Sequence, residues 1–447
     1  MLNLLFLIYS FFPINQNTNN LSNPYIKIDN RLDIPDKNNI SYTLNINRNL
    51  DRSDIKIYDL ENNISGNYRY KFISIYFNYQ KAYEYFNYKT DDINFIRDIK
   101  KDELELYLGI FKYNISLKAI FNINFHLEDK LKYGAYLAYH FNVQNIKYKI
   151  YFSKYKKEES HINKLSSQDD SYIFPYRYNK SVQILGFNLN IYNKLKLKFK
   201  NTITDTKTPD LDKKDFTIEE ISKINNIILK TKLDFKNYAV YFNYLEKFIT
   251  ANIKNELDDL KFSKLIVKEY DDYTYNLGII LKKLTKLNVD IYYQKINSYF
   301  FGNIESWPFT ENDNSWVGGR LNFSAKPKYK RYMVRIKNKI TLFNQKLSIS
   351  PEIFYDYLIF EPNFKSYEAG YFGIGKQNEF FYNTETFAHL LHLSANFNLK
   401  FQNLKLNLFI SQIIPIKING NNENNKPSGE IKTLEGFQLK FLINYNF

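Results

Sequence analysis

The chain has 447 residues, no cysteine and a formal net charge of +15. The missing thiols exclude a lipid-anchored cysteine, a thiolate metal site and a cysteine nucleophile, and they fit an exported protein. The charge suits anionic ligands or acidic headgroups. No compact basic cluster interleaves with aromatics as nucleic-acid sites require, so no nucleic-acid partner is expected.

Aromatic residues make up 18% of the chain, with 40 Tyr and 38 Phe but 2 Trp. AT-rich codons explain part of that excess, since Lys and Asn are abundant too. Codon bias does not sort residues into alternating rows, so their order carries the information.

In chain order, Met1 to Ile14 is an apolar run before a polar stretch. It is shorter than the ~20 residues of a spanning helix, and a signal peptide over 1–15 is expected. Residues 16–67 alternate weakly, apart from Ile40, Tyr42, Leu44 and Ile46. They read as a periplasmic arm, a plug segment or an extra hairpin. From about residue 68 onward, period-two alternation recurs. Tyr113, Ile115, Leu117, Ala119, Phe121 and Ile123 form one row, with Asn114, Ser116, Lys118, Asn122 and Asn124 between them. Leu195, Leu197 and Phe199 alternate with Lys194, Lys196, Lys198 and Lys200, and Leu391, Leu393, Ala395 and Phe397 with His392, Ser394 and Asn396.

The pattern predicts strands near 68–79, 103–111, 114–125, 132–144, 146–155, 181–192, 195–204, 226–235 and 238–249. It continues with 261–268, 273–282, 287–297, 316–325, 332–342, 347–359, 388–401, 404–414 and 434–447. Many reach the ~9–11 residues of a tilted membrane strand. Short breaks fall at Asn193-Lys194, Lys236-Asn237, Phe343 to Lys346 and Gln402-Asn403. Long polar breaks fall at about 80–102, 156–180, 205–225, 360–387 and 415–433. The segment 297–315 is long yet lands on the short-turn side.

The last strand is the most regular. Phe437, Leu439, Phe441, Ile443, Tyr445 and Phe447 share one face, and Gln438, Lys440, Asn444 and Asn446 the other. An amphipathic strand ending on an aromatic carboxyl terminus resembles the closing strand of bacterial outer-membrane β-barrels. The second half is also faintly similar to porin-like proteins of Bacteroidetes. The resemblance implies an all-β fold: one transmembrane antiparallel β-barrel over 68–447, with 16–18 strands (range 14–18). It also implies an outer-membrane location in a Gram-negative cell, contact with outer-membrane lipid and lipopolysaccharide, and Phe441, Ile443, Tyr445 and Phe447 as the signal read by the barrel-assembly machinery. A homo-oligomer is compatible with it. A soluble all-β protein is the competing reading, since soluble antiparallel sheets alternate too.

Few groups suit catalysis. His392 and Ser394 share a strand face with Asn396, similar to the site of outer-membrane phospholipase, in which imidazole activates serine. They fall on the polar face, however, while such a lipase needs its site turned to lipid, so no enzyme is expected. His389 and His392 point to opposite faces and cannot share a metal. The run Gly370 to Lys376 matches phosphate-loop spacing but continues with Gln377 rather than Ser or Thr. Asp169-Asp170, Asp258-Asp259 and Asp271-Asp272 read as solvated loop charge. No cofactor and no metal are expected.

The polar rows carry the functional expectation. Lys194, Lys196, Lys198, Lys230, Lys232, Arg335, Lys337 and Lys339 are predicted to line a pore, where rings of cations favour anions. The expected function is porin-like passive diffusion of small, anionic solutes. Alternatives are a transporter of hydrophobic compounds or an envelope-assembly barrel, and an adhesin or structural barrel acting through its loops.

Overall fold

The computed structural model describes residues 39–51, 55–89, 93–125, 131–167, 171–207, 216–257, 261–282, 287–306, 319–343, 346–361, 363–370, 378–382, 385–402, 404–419 and 436–446. The expected signal peptide 1–15, residues 16–38 and Phe447 lie outside these. So do Asp169-Asp170, Asp258-Asp259 and most of the Gly370–Lys376 run.

The strands are β1 (Asn39–Asp51), β2 (Ile55–Tyr70), β3 (Ile73–Lys89), β4 (Ile93–Lys112), β5 (Ile115–Asn124), β6 (Leu131–Val143), β7 (Ile146–Ser167), β8 (Ser171–Ile191), β9 (Leu195–Lys207), β10 (Phe216–Asp234) and β11 (Tyr238–Leu257). They continue with β12 (Lys261–Leu281), β13 (Leu287–Ser306), β14 (Gly319–Ala325), β15 (Lys328–Lys337), β16 (Ile340–Leu342), β17 (Leu347–Glu361), β18 (Phe364–Gly370), β19 (Asn378–Tyr382), β20 (Thr386–Phe401), β21 (Leu404–Asn419) and β22 (Gly436–Asn446). All 22 belong to one sheet, and the pairings are between sequence neighbours except where the sheet closes, where a strand is interrupted and where β4 pairs with β7 past a short hairpin. Closure is direct: β22 pairs with β1 from Ser41↔Asn446 to Arg48↔Leu439. A sheet whose last strand pairs with its first has no edge to template aggregation and no unsatisfied edge backbone.

Four segments prolong a neighbour rather than add a stave to the wall. β15 and β16 continue β14, since β13 pairs with both β14 and β15, and β17 with both β15 and β16. β18 continues β17 and β20 continues β19 in the same way. The 22 segments therefore make 18 staves among the described residues. The 18 strands expected from alternation equal this number through two pairs of offsetting differences. Segments 261–268 and 273–282 are one strand, β12, in which a bulge between Val267 and Glu269 shifts the alternation by one residue. Segments 316–325 and 332–342 belong to one stave, interrupted at Lys326-Pro327 because proline has no N–H to donate to a ladder. Against those two, β1 and β2 are wall staves that the sequence placed before the barrel at residue 68. Residues 297–306 of the long 297–315 segment are strand, the second half of β13, and 307–315 lie outside the described residues. The long polar breaks are mostly hairpin arms: β7 and β8, for example, remain paired out to Ser166↔Ser171.

Alternation sorts side chains between two faces. Ile115, Leu117, Leu137, Ile150, Phe152, Leu277, Ile291, Val334 and Ile353 are exposed, while Ser116, Lys118, Asn122, Lys149, Ser153, Asn276, Asp290 and Arg335 are buried. An exposed apolar exterior around a polar interior is the arrangement of a membrane-spanning barrel. Aromatic side chains mark its borders. At the end that holds both Asn39 and Asn446, exposed Tyr70, Phe72, Tyr113, Tyr192, Phe235, Phe343 and Phe401 sit on the tight turns. Positive φ at Tyr113 (49°) and Asn114 (65°), and at Tyr192 (51°) and Asn193 (55°), gives those hairpins the twist their strands need. Toward the other end, one ring per stave forms a continuous outer row. Centroid separations are 5.2 Å for Tyr244–Tyr275, 6.1 Å for Tyr275–Tyr293, 5.1 Å for Tyr293–Tyr332, 6.2 Å for Tyr332–Tyr357 and 4.6 Å for Tyr357–His389.

Inside, two tyrosine rings lie on glycines directly across the ladder, Tyr151 on Gly186 and Tyr241 on Gly278, and Gly134 admits the close backbone of Lys154 and Tyr155. A Cβ at Gly186 would stand 2.0 Å from Tyr151 Cζ, and one at Gly278 would stand 2.4 Å from Tyr241 Cζ and from Asp290 Oδ1. Glycine in a strand marks such close approach. Gly186→Ala is expected to lift the Tyr151 ring and cost about 1–3 kcal/mol, read as a lower unfolding midpoint of the detergent-folded barrel. Adding Tyr151→Ser should recover most of the loss; no recovery would mean the glycine serves the backbone instead.

The wall narrows at one place. β5 and β6 stop short, and beyond them β4 pairs directly with β7 through Ile93–Asp98 and Ile162–Ser167. Where β7 crosses the tip of that hairpin, Asn122 Nδ2 donates to the Lys156 carbonyl (2.9 Å) and Asn124 Nδ2 to that of Glu158 (3.2 Å). The amides stand in for the missing strand. Lys132–Glu158 (3.2 Å) and Lys157–Glu103 (3.7 Å) ion pairs close the junction.

Candidate functional site: the charged inner wall

The inner face carries two charged regions with different wiring. The first is a network on β11, β12, β13, β15, β17 and β20. Arg335 Nε donates to Asp290 Oδ2 at 2.6 Å, and its Nη1 lies 3.6 Å from Glu352 Oε1. The guanidinium also sits 5.2 Å from the Tyr292 ring centroid, a cation–π contact. Lys337 Nζ is 3.0 Å from Glu352 Oε2. Asn276 (3.5 Å) and Asn288 (3.3 Å) donate to the two oxygens of Asp290, and Tyr241 hydroxyl donates to Asn288 at 3.1 Å. One turn of the ladder away, Arg331 Nε donates to both oxygens of Asp356 at 2.8 Å, and His392 Nε2 lies 3.5 Å from the same carboxylate. Three cations, Arg331, Arg335 and Lys337, thus meet three carboxylates, Asp290, Glu352 and Asp356. These three pairs of opposite charges balance one another.

The second region is on β9 and β10. The register sets Lys196 opposite Lys232 and Lys198 opposite Lys230, with Lys200 next in the row. All occupy the face shared with Val182, Ile184 and Thr206, which are buried on the inside. Asp234 is the nearby counter-charge, 2.9 Å from Lys232 and 2.7 Å from Lys282. Among the described residues lysine outnumbers carboxylate here, so this stretch is net positive.

Not every predicted residue joins these regions. Lys194 lies in the β8–β9 turn and Lys339 in the break between β15 and β16, both exposed at the turn end. Alternation runs through them in the sequence, but the chain reverses or breaks there, so neither is in the inner row. Arg335 and Lys337 do face inward, yet as members of ion pairs. Asp290, Asp356, Arg331 and Tyr292 were missed. A signal existed: Arg331 and Arg335, like Glu352 and Asp356, are four apart and so share a strand face. Which partner each meets depends on register.

His392 and Ser394 are both on the inner face, with the His392 ring stacked on Phe354 at 3.9 Å. Ser394 Oγ has no hydrogen-bond partner among the described residues, so the imidazole does not engage it. Phe441 and Ile443 lie in register with outward Leu408 and Leu406.

No protein-family model matches the chain, and no curated protein matches it. Among solved structures it is similar to a BenF-like porin from Pseudomonas fluorescens Pf-5, with 9% identity, TM-score 0.41 and coverage of 93% of this chain and 99% of that one. It is also similar to OccK7 (OpdD) of Pseudomonas aeruginosa, with 9% identity, TM-score 0.38 and coverage of 92% and 99%. A third likeness is to the ferric enterobactin receptor PfeA, with 9% identity, TM-score 0.38 and coverage of 92% and 81%. All three TM-scores are below 0.5, and the functional reading rests on the wall itself.

Proposed function

We propose that this chain is a porin-like channel of the bacterial outer membrane that lets small anionic solutes diffuse passively. The observation that carries the proposal is a closed wall of 18 staves, apolar outside, with an unbalanced lysine patch on its inner face. Barrels of this strand number are wide enough to hold an aqueous channel. Unbalanced cations on the wall of such a channel raise the local concentration of anions. The balanced Arg331–Arg335–Lys337 region does not contribute to that selectivity. With the tight turns in the periplasm, both wall ends at Asn39 and Asn446 face that compartment, and the long hairpin arms face outward.

The test is single-channel recording of the refolded protein in a planar bilayer under a salt gradient. Large, steady conductance steps with an anion-biased reversal potential are expected. A folded, inserted barrel that never conducts would overturn the channel reading.

A further inference from the structure

On the outer face, just beyond the tyrosine row, two irregularities in the wall point to the same place. The bulge in β12 makes Lys268 the extra residue, exposed beside Glu269. Bulges re-aim side chains in this way. Two staves along, the Lys326-Pro327 interruption leaves Lys326 exposed, held by backbone bonds from Lys326 N to the Asn363 carbonyl (3.1 Å) and from Ser298 N to the Pro327 carbonyl (3.2 Å). Both ammonium groups come to one ring: Lys268 Nζ is 5.6 Å and Lys326 Nζ 4.9 Å from the Tyr299 centroid.

Three more outward positions complete the patch. Lys328 and Lys330 follow Lys326 along β15, and Lys295 lies opposite Lys330 on β13. Glu361 partly offsets Lys328 (3.5 Å) and Lys330 (3.9 Å). Glu269 and Asp271 are the acids on the β12 side. Among the described residues, Lys268, Lys295 and Lys326 have no carboxylate within ion-pair distance.

Resting on the membrane-barrel reading, we propose that this patch binds the phosphorylated headgroup of an outer-leaflet glycolipid. The position supports it: Tyr275, Tyr293 and Tyr332 divide apolar Leu277, Ile291 and Val334 on one side from the charged patch on the other. Aromatic belts of this kind sit at headgroup level. The charge fits as well. Five lysines against Glu361, Glu269 and Asp271 leave a formal surplus of two positive charges, which exceeds the single charge of a phosphodiester and matches a headgroup with two phosphates. Acyl chains would then descend along the apolar face below the tyrosines.

The test compares wild type with the triple variant Lys268→Gln/Lys295→Gln/Lys326→Gln, both refolded in detergent, by native mass spectrometry with added lipid A, phosphatidylcholine or inorganic phosphate. Wild type is expected to retain lipid A at least tenfold better than the variant, and neither protein should retain phosphatidylcholine or inorganic phosphate. Equal lipid A retention by both proteins, or equal retention of the zwitterionic lipid by wild type, would overturn the site. Channel recording on the same variant separates the two readings, because these lysines lie outside the lumen and conductance should be unchanged. If neither protein conducts while lipid discrimination persists, the channel reading fails and this one stands.

Discussion

Replacing Arg335 with Met is expected to destabilise the barrel by about 3–5 kcal/mol. Arg335 is 1% exposed, Asp290 0% and Glu352 3%. Removing the guanidinium leaves two buried carboxylates facing each other with only Lys337 and the neighbouring amides to offset them. Most of the cost is that uncompensated charge, not the worth of the ion pair itself. The triple variant Arg335→Met/Asp290→Asn/Glu352→Gln should therefore be much closer to wild type than Arg335→Met alone. Unfolding midpoints in detergent decide the matter. A single variant that loses less than about 1 kcal/mol would show that the region is hydrated and the charges are not interdependent.

The second large effect is on selectivity. Lys198→Glu/Lys230→Glu reverses two unit charges at facing positions on β9 and β10. A unit charge acting over ~4 Å in a water-like medium is worth roughly 1 kcal/mol, about fivefold in a local ion concentration. The anion-to-cation permeability ratio should fall by at least about fivefold, with single-channel conductance changing less. The neutral exchange Lys337→Gln/Glu352→Gln removes one cation with its partner, so its reversal potential should stay near wild type. If that exchange shifted selectivity as much as the β9–β10 variant, the distinction between the two charged regions would be lost. Ionic strength gives a check, since 1 M salt shrinks the Debye length to about 3 Å and should flatten the difference.

Both expectations depend on a contrast that alternation cannot express. Lys198 and Arg335 look alike in the sequence: each is a cation in a polar row between apolar neighbours. In the barrel, β9 meets β10 so that lysine faces lysine, while β15 meets β13 and β17 so that arginine faces carboxylates.

What the sequence by itself determined is which face of a strand each residue occupies, because the period of two is set locally by the backbone. That was enough for the amphipathic wall, the tight turns at Asn193 and Gln402, the outward row of β22 and the inward direction of Lys196, Lys198, Lys230 and Lys232. Register, closure and continuity were decided only by the tertiary structure. A bulge at Lys268 and a proline at 327 interrupt alternation without ending a stave, so strands were split that the ladder holds together. β1 and β2 alternate weakly, and their place in the wall comes from pairing with β22 and β3 rather than from their own pattern. The meeting of Arg335 with Asp290 spans 45 residues of chain. Such a contact exists only once the ladder between distant segments has set its register, because that energy belongs to pairs of strands and not to either strand alone.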